Sequence, residues 1–147
     1  MQVTETGQTE EAFLKHFHAL PGIQPDQTNL SLVEGLFEVV QAISTHGTSV
    51  NLLKCERGIG VTRVFREFAK WTQLSVVVVS YSLQVYRAAG VRVFSWHHSL
   101  RGITPKPNLV LVDSPLSRLE CESKSTAAEF ERYLANCPYP AFCAVQI

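Results

Sequence analysis

The sequence lacks an excess of charge of either sign. Lysine plus arginine and aspartate plus glutamate number 13 each in 147 residues, so the formal net charge at pH 7 is zero. Proteins that hold nucleic acid across a broad surface rely on a basic excess to contact phosphates. The composition therefore argues against a general nucleic-acid-coating protein, and leaves room only for a local basic patch.

The sequence also lacks the cysteine patterns of metal sites. Its four cysteines, which form no C-x-x-C pair, are Cys55, Cys121, Cys137 and Cys143. No histidine spacing completes a zinc set with them. We therefore predict free thiols in a reducing compartment.

Long hydrophobic runs are missing as well. No apolar run approaches the roughly 18 residues that a membrane-spanning helix requires. The segment Gln2–Glu11 that follows Met1 is mostly polar, which is not the charged-then-apolar order of a secretion signal. We expect a soluble, cytoplasmic protein with no membrane partner.

The N-terminal third predicts two helices. Apolar residues with helical spacing run from Glu10 to Leu20, and Pro21 ends this helix. Ser31–Glu34 has the form of a capping box and predicts the start of the second helix. This pair would cover the rest of the fold or serve as a docking surface.

From residue 49 onward, apolar β-branched runs alternate with amphipathic segments. The predicted strands are 49–55, 75–80, 91–96, 108–113 and 141–147, and the predicted helices are 61–71, 82–90 and 126–137. This alternation predicts an α/β fold with a mostly parallel five-stranded sheet flanked by helices. Ligands of such sheets bind beyond the carboxyl ends of the strands.

The domain prediction follows from this pattern. Residues 1–8 are predicted to form a flexible tail, and residues 9–147 a single α/β domain. Within that domain, residues 9–47 supply the N-terminal helical pair and residues 48–147 the sheet core.

The turn after the first strand has the form of a phosphate-binding loop. Such loops read G-x-x-x-x-G-K-[ST], with backbone N–H groups cradling phosphates, the lysine on the β and γ phosphates and the hydroxyl on Mg²⁺. Over residues 55–62, Gly60 and Thr62 match this pattern, whereas Cys55 replaces the first glycine and Val61 the lysine. The loop lies between an apolar strand and an amphipathic helix, as the motif requires.

An aspartate at the end of a later strand supplies a second part of a nucleotide site. "NLVLVD" ends at Asp113, where a carboxylate would hold Mg²⁺ together with Thr62. The competing interpretation is structural, because an aspartate before Ser114 and Pro115 also caps a turn. Both interpretations are open from the sequence.

Three stretches carry a likeness to a known family: "CERGIGVTRVFREFA", "SVVVVSYSLQVYRAAGVRVFSWHHSLRG" and "PNLVLVDSP". Through them, residues 49–147 resemble the core of a P-loop ATPase of the additional-strand kind. The nearest likeness is to viral large terminases and superfamily 2 helicases. The resemblance implies a sheet of P-loop type and a bound ATP or GTP with Mg²⁺. Carried over by position, Gly58, Gly60 and Thr62 would contact the nucleotide, and Thr62 and Asp113 the metal.

Two departures from that family weaken the case for hydrolysis. Val61 stands at the lysine position, and Ser114 stands where a catalytic glutamate normally follows the aspartate. The transferred phosphoryl group would lack its main cationic partner, and no group would orient the attacking water. Lys54 or Arg57 could supply a relocated cation for nucleotide binding, or they could be a solvated charge and a turn residue.

One region is both basic and aromatic. Between residues 82 and 108 the chain has no acidic residue, and its basic residues are Arg87, Arg92, Arg101 and Lys106. These four are candidates for contact with nucleic acid. The alternative is a solvated face over core aromatics.

A thiol nucleophile is a weaker hypothesis. Cys55 precedes a helix N-terminus, which can lower a thiol pKa, and His97 or His98 could act as its base. Adjacent histidines on a strand point to opposite faces, so these two are not expected to bind one metal together.

The leading functional expectation is a degenerate P-loop protein that does not hydrolyse nucleotide. It would act as a scaffold or regulatory subunit with a protein partner or in self-association, and the resemblance implies a viral nucleic-acid-processing or packaging assembly inside a host cell. One alternative is an active nucleotide hydrolase with a variant loop. The other is a protein-interaction module that has no ligand.

Overall fold

The structure is a computed structural model that describes residues 9–21, 30–46, 50–55, 60–80, 83–95, 100–114 and 132–146. The elements in chain order are α1 (Glu10–His18), α2 (Leu30–His46), β1 (Val50–Cys55), α3 (Val61–Trp71), β2 (Val76–Val79), α4 (Leu83–Ala88), β3 (Val93–Phe94), β4 (Leu109–Ser114) and β5 (Ala141–Gln146). Residues 132–135 are also helical. The predicted bounds of α3 are confirmed at both ends.

The strands form one parallel sheet in the order β1-β5-β4-β2-β3. The prediction of an α/β fold with a parallel sheet flanked by helices is confirmed. Strand β5 lies between β1 and β4, so that Ala144 is opposite Leu53 on one side and Asp113 on the other. The carboxyl ends of β1 and β4 therefore lie at the same edge of the sheet.

The prediction of a five-stranded sheet was wrong. Four strands of ordinary length make up the sheet, and the strand expected at 91–96 is reduced to β3 at its edge, where Val93 and Phe94 are the described residues that pair with β2. The reason is the short neighbour: β2 has four residues, and its last two are the ones opposite β3. Two backbone bonds, Val78 N to Arg92 O at 2.9 Å and Ser80 N to Phe94 O at 3.1 Å, hold this ladder.

The sheet has an apolar core on each face. Helices α1, α2, α3 and the Tyr86 ring of α4 pack on one face, against strand residues that include Leu109, Leu111 and Phe142. The opposite face, which includes Val110 and Val112, packs against the segments around residues 100–103 and 133–139. Strands buried on both faces are expected to be continuously apolar, as β2 and β4 are.

The N-terminal helices belong to the first of these cores. Phe13 of α1 contacts the rings of Phe37, Phe68 and Trp71, with centroids 5.3–5.9 Å away. Thr9 caps α1 by accepting a hydrogen bond from Ala12 N at 3.0 Å. Phe13 therefore joins α1 to α2 and α3 within this core.

Helix α2 approaches the sheet closely at a glycine. A Cβ added to Gly35 would lie 3.1 Å from Cε1 of Phe142, a tight contact that would require the Phe142 ring to shift by a few tenths of an ångström. Helix α2 begins at Leu30, which places Ser31 inside the helix and not at its N-cap, contrary to the capping-box prediction. None of the described helices combines the length and apolar character needed to span a membrane.

Candidate functional site

The candidate site lies where β4 ends and α3 begins. Asp113 is the fifth residue of β4, and alternation along that strand places it on the same face as Leu109 and Leu111, beneath α3. Thr62 is the second residue of α3. Two residues that are 51 positions apart in the chain are brought together here.

The Thr62 hydroxyl donates a hydrogen bond to the Asp113 carboxylate. The distance from Thr62 Oγ1 to Asp113 Oδ2 is 2.6 Å, which is in the short range of hydroxyl–carboxylate bonds. Asp113 is 7% exposed, whereas Thr62 is half-buried. We call these two residues the hydroxyl–carboxylate pair.

A third residue, which the sequence interpretation missed, completes the arrangement. The Tyr86 hydroxyl donates to the same Asp113 Oδ2 at 2.9 Å, from a ring that is fully buried. One carboxylate oxygen therefore accepts from both α3 and α4. The available signal was a tyrosine on a short helix after β2, since a buried tyrosine hydroxyl usually has a polar partner.

The environment keeps the Tyr86 phenol protonated. Burial of the ring raises the pKa of Tyr86 strongly, and the Asp113 carboxylate raises it further, by its charge and by accepting the hydrogen bond. The Thr62 hydroxyl and the Arg66 charge oppose this shift in pKa. Tyr86 is therefore a hydrogen-bond donor at neutral pH.

Gly60 positions the start of α3. It is the N-cap residue, with φ 83° and ψ 33°, a left-handed conformation that favours glycine. Gly60 has no side chain with which to cap the helix, and the helix dipole favours negative charge at this end. Glycine at this position is thus explained by backbone geometry.

Val61, at the lysine position of the motif, packs inward. Its side chain is 2% exposed and belongs to the core cluster with Val64 and Phe65. An apolar side chain therefore suits this position, which faces the core.

Several predicted site residues lie outside the described part of the chain. Arg57 and Gly58 are among them, as are His97 and His98 of the thiol hypothesis. Lys54 and Cys55 are in β1, opposite Val145 and Gln146 of β5 in register, but their side chains are outside the described part. Their proposed roles stay predictions.

The four basic candidates are distributed over different parts of the fold. Arg87 is exposed on α4, which covers one face of the sheet, whereas Arg101 follows Leu100, which packs on the other face. Arg92 donates from Nη2 to the Pro105 carbonyl at 2.7 Å, next to the exposed Lys106. Arg92 thus binds the loop before β4, at the residue next to Lys106 in the chain.

The donor set of the pair suits a hard cation. Mg²⁺ prefers oxygen ligands, and typically takes one or two carboxylates together with waters and substrate phosphates. The Thr62 hydroxyl and Asp113 carboxylate supply two such oxygens beside a helix N-terminus. Among the residues that the structure describes, no group of three or more His, Cys, Asp or Glu side chains could hold a metal ion.

The chain matches no protein-family model and no curated protein.

Proposed function

We propose that this chain is a degenerate P-loop protein that binds nucleotide without hydrolysing it and acts as a scaffold or regulatory subunit. The observation that carries the proposal is the 2.6 Å hydrogen bond from Thr62 Oγ1 to Asp113 Oδ2. It joins the two positions that would hold Mg²⁺ in a nucleotide site, at the carboxyl edge of a parallel sheet where such ligands bind.

The strand order supports the same proposal. The loop of the motif follows β1, the aspartate ends β4, and β5 is inserted between them. This insertion suits the additional-strand kind of P-loop core. The left-handed Gly60 and the positive end of the α3 dipole are further features that favour an anion at this edge.

The absence of hydrolysis follows from the lysine position. Val61 is buried in the core, so it offers no positive charge for the phosphoryl group in the transition state. Binding requires less, because backbone N–H groups and a metal ion can hold the phosphates of a ground-state nucleotide. Retained binding with lost turnover is typical of a regulatory or scaffolding subunit.

The setting is proposed from the resemblance. A viral assembly that processes or packages nucleic acid would use such a subunit through a protein partner or through self-association. The exposed Arg87, Arg101 and Lys106 are the side chains that would add nucleic-acid contacts.

Calorimetry with ATP, ADP and GTP in the presence of Mg²⁺ tests the proposal. We expect the wild-type chain to bind at least one nucleotide, and Thr62→Val to weaken that binding about tenfold, since a lost hydrogen bond of a charged site is of order 1.4 kcal/mol. Thr104→Val, an exposed threonine in the loop before β4, is the matched control. Phosphate release should stay at the buffer rate in all three proteins.

Two outcomes would contradict the proposal in different ways. No binding heat with any nucleotide would remove the nucleotide site. Phosphate release that disappears in Asp113→Ala would instead establish the alternative of an active hydrolase with a variant loop.

A specific observation favours a second candidate, a protein-interaction module without a ligand. Asp113 is buried and already accepts two hydroxyl hydrogen bonds, which would satisfy a purely structural carboxylate. That candidate predicts no thermal shift with any nucleotide and Mg²⁺, while Thr62→Val and Tyr86→Phe both lower the melting temperature.

A further inference from the structure

Tyr86 has no part in the P-loop resemblance, yet it contacts the carboxylate on which the site depends. Its hydroxyl is 2.9 Å from Asp113 Oδ2, the same oxygen that accepts from Thr62. Any cation that binds this oxygen must therefore compete with the phenol.

Both the side chain and the backbone of Tyr86 are held in place. The side chain is fully buried in the core on the α3 face of the sheet. Its backbone carbonyl accepts hydrogen bonds from Ala89 N at 3.1 Å and Val91 N at 3.0 Å, in the turn that leads to β3. A donor fixed in this way pays little additional entropy to keep its hydrogen bond.

The two hydroxyls differ in what they can do when a cation arrives. Thr62 is half-buried at the helix start, so rotation of its proton away from the carboxylate would turn its oxygen into a ligand. The Tyr86 side chain is fully buried, so its oxygen is not accessible from solvent to a hydrated ion. Cation binding therefore retains the Thr62 contact and breaks the Tyr86 contact.

We propose that Tyr86 is a built-in competitor of divalent cations at Asp113, which holds the carboxylate when no ion is bound and lowers the affinity of the site for Mg²⁺ or Mn²⁺. This inference rests on the proposed function, because it concerns the ion of the same hydroxyl–carboxylate pair. Tyr86 thus helps to set the affinity of the site for the ion, and ion binding breaks a contact between Asp113 and helix α4.

Titration of the nucleotide-free protein with Mn²⁺, followed by electron paramagnetic resonance of the free ion, tests the competition. Tyr86→Phe removes the hydroxyl and keeps the ring. We expect it to bind Mn²⁺ about tenfold more tightly than the wild-type chain, because no hydrogen bond to a charged acceptor has to be broken. Asp113→Asn should abolish this binding in the Tyr86→Phe background.

Tyr139→Phe is the matched control. Tyr139 is also buried, but it belongs to the core on the opposite face of the sheet. Its substitution should leave Mn²⁺ affinity at the wild-type value. If Tyr86→Phe fails to fold by circular dichroism, Tyr86→Leu replaces it with the same expected direction.

Equal or weaker Mn²⁺ binding by the Tyr86 variant would overturn the inference, and so would a matching gain in Tyr139→Phe. The result is separable from a failure of the proposed function. Nucleotide binding with unchanged ion affinity in Tyr86→Phe would refute the competition alone. A tenfold gain in ion affinity without any nucleotide binding would refute the nucleotide site and leave the competition standing.

Discussion

Val61 occupies the position at which phosphate-binding loops carry their lysine. In this fold the Val61 side chain is buried in the core. The side chain packs with Val64 and Phe65 in the cluster between α3 and the sheet. A lysine there would have to bury an ammonium group among apolar side chains or displace the start of α3. A lysine introduced at position 61 is therefore not expected to contact the phosphates of a nucleotide.

Val61→Lys should destabilise the protein by about 3 kcal/mol, within the range for an uncompensated buried charge. The matched control is Val85→Lys, which introduces the same residue at a position of α4 that is 40% exposed and should change stability by less than about 0.5 kcal/mol. Urea denaturation of both variants gives the comparison. A stable Val61→Lys protein with raised nucleotide affinity would show that position 61 can face the phosphates.

At the level of single residues, the sequence predicted that Thr62 and Asp113 lie close together, but it did not predict the contact of Tyr86 with Asp113. Thr62 and Asp113 were predictable because Thr62 opens the helix that follows β1 and Asp113 lies near the end of β4, and the carboxyl ends of parallel strands share one edge of the sheet. Tyr86 was not, because its direction depends on how α4 rotates against the sheet. A six-residue helix carries too few turns for its apolar stripe to specify that rotation.

Helix α3 depends on the backbone conformation at its first boundary. Gly60, the N-cap residue, has φ 83° and carries no side chain that could cap the helix. Gly60→Ala should cost about 1–2 kcal/mol, since an L-residue with a Cβ disfavours the left-handed region. Gly60→Asn should cost less, because asparagine tolerates that region better.

Thermal or urea unfolding of the two Gly60 variants measures this difference. Equal stability of Gly60→Ala and the wild-type chain would mean that the turn relaxes to a negative φ. In that case the left-handed start of α3 would not be needed for the position of Thr62.

Elements with a strong local pattern were predictable, and those that depend on neighbours were not. The valine run of β2 and the apolar stripe of α3 reflect burial that is periodic in the sequence. The reduction of β3 to two residues reflects the shortness of β2, which no pattern within 91–96 reveals. The place of β5 between β1 and β4 depends on the crossovers, not on the composition of any one strand.

For the molecule as a whole, two buried groups, Tyr86 and Cys137, and the half-buried Tyr133 predict loss of stability at alkaline pH. Burial raises the pKa of Tyr86 and Tyr133 above the ordinary value of 10.0, and that of Cys137 above 9.0. In the unfolded chain these groups lose their protons near the ordinary values, whereas the folded chain retains them. The unfolded state thus binds fewer protons, so the free energy of unfolding falls as pH rises.

The stabilising contribution of these groups is complete below about pH 9 and is lost as the pH rises above it. Urea midpoints measured between pH 7 and pH 11 should decline over the upper half of that range. Tyr86→Phe should show a shallower decline, because one of the three groups is gone. Parallel curves for the variant and the wild-type chain would contradict the role given to the Tyr86 phenol.

The pairing of β1 with β5 has a consequence for how the chain is made. Strands β2, β3 and β4 all lie between these two partners in the sequence, and among the described strands β5 is the one that β1 pairs with. On the ribosome, β1 emerges early but has to wait for β5 before its backbone can join the ladder. Such distant pairings slow folding, so we expect β1 to join the sheet of a newly synthesised molecule only after β5 has been made.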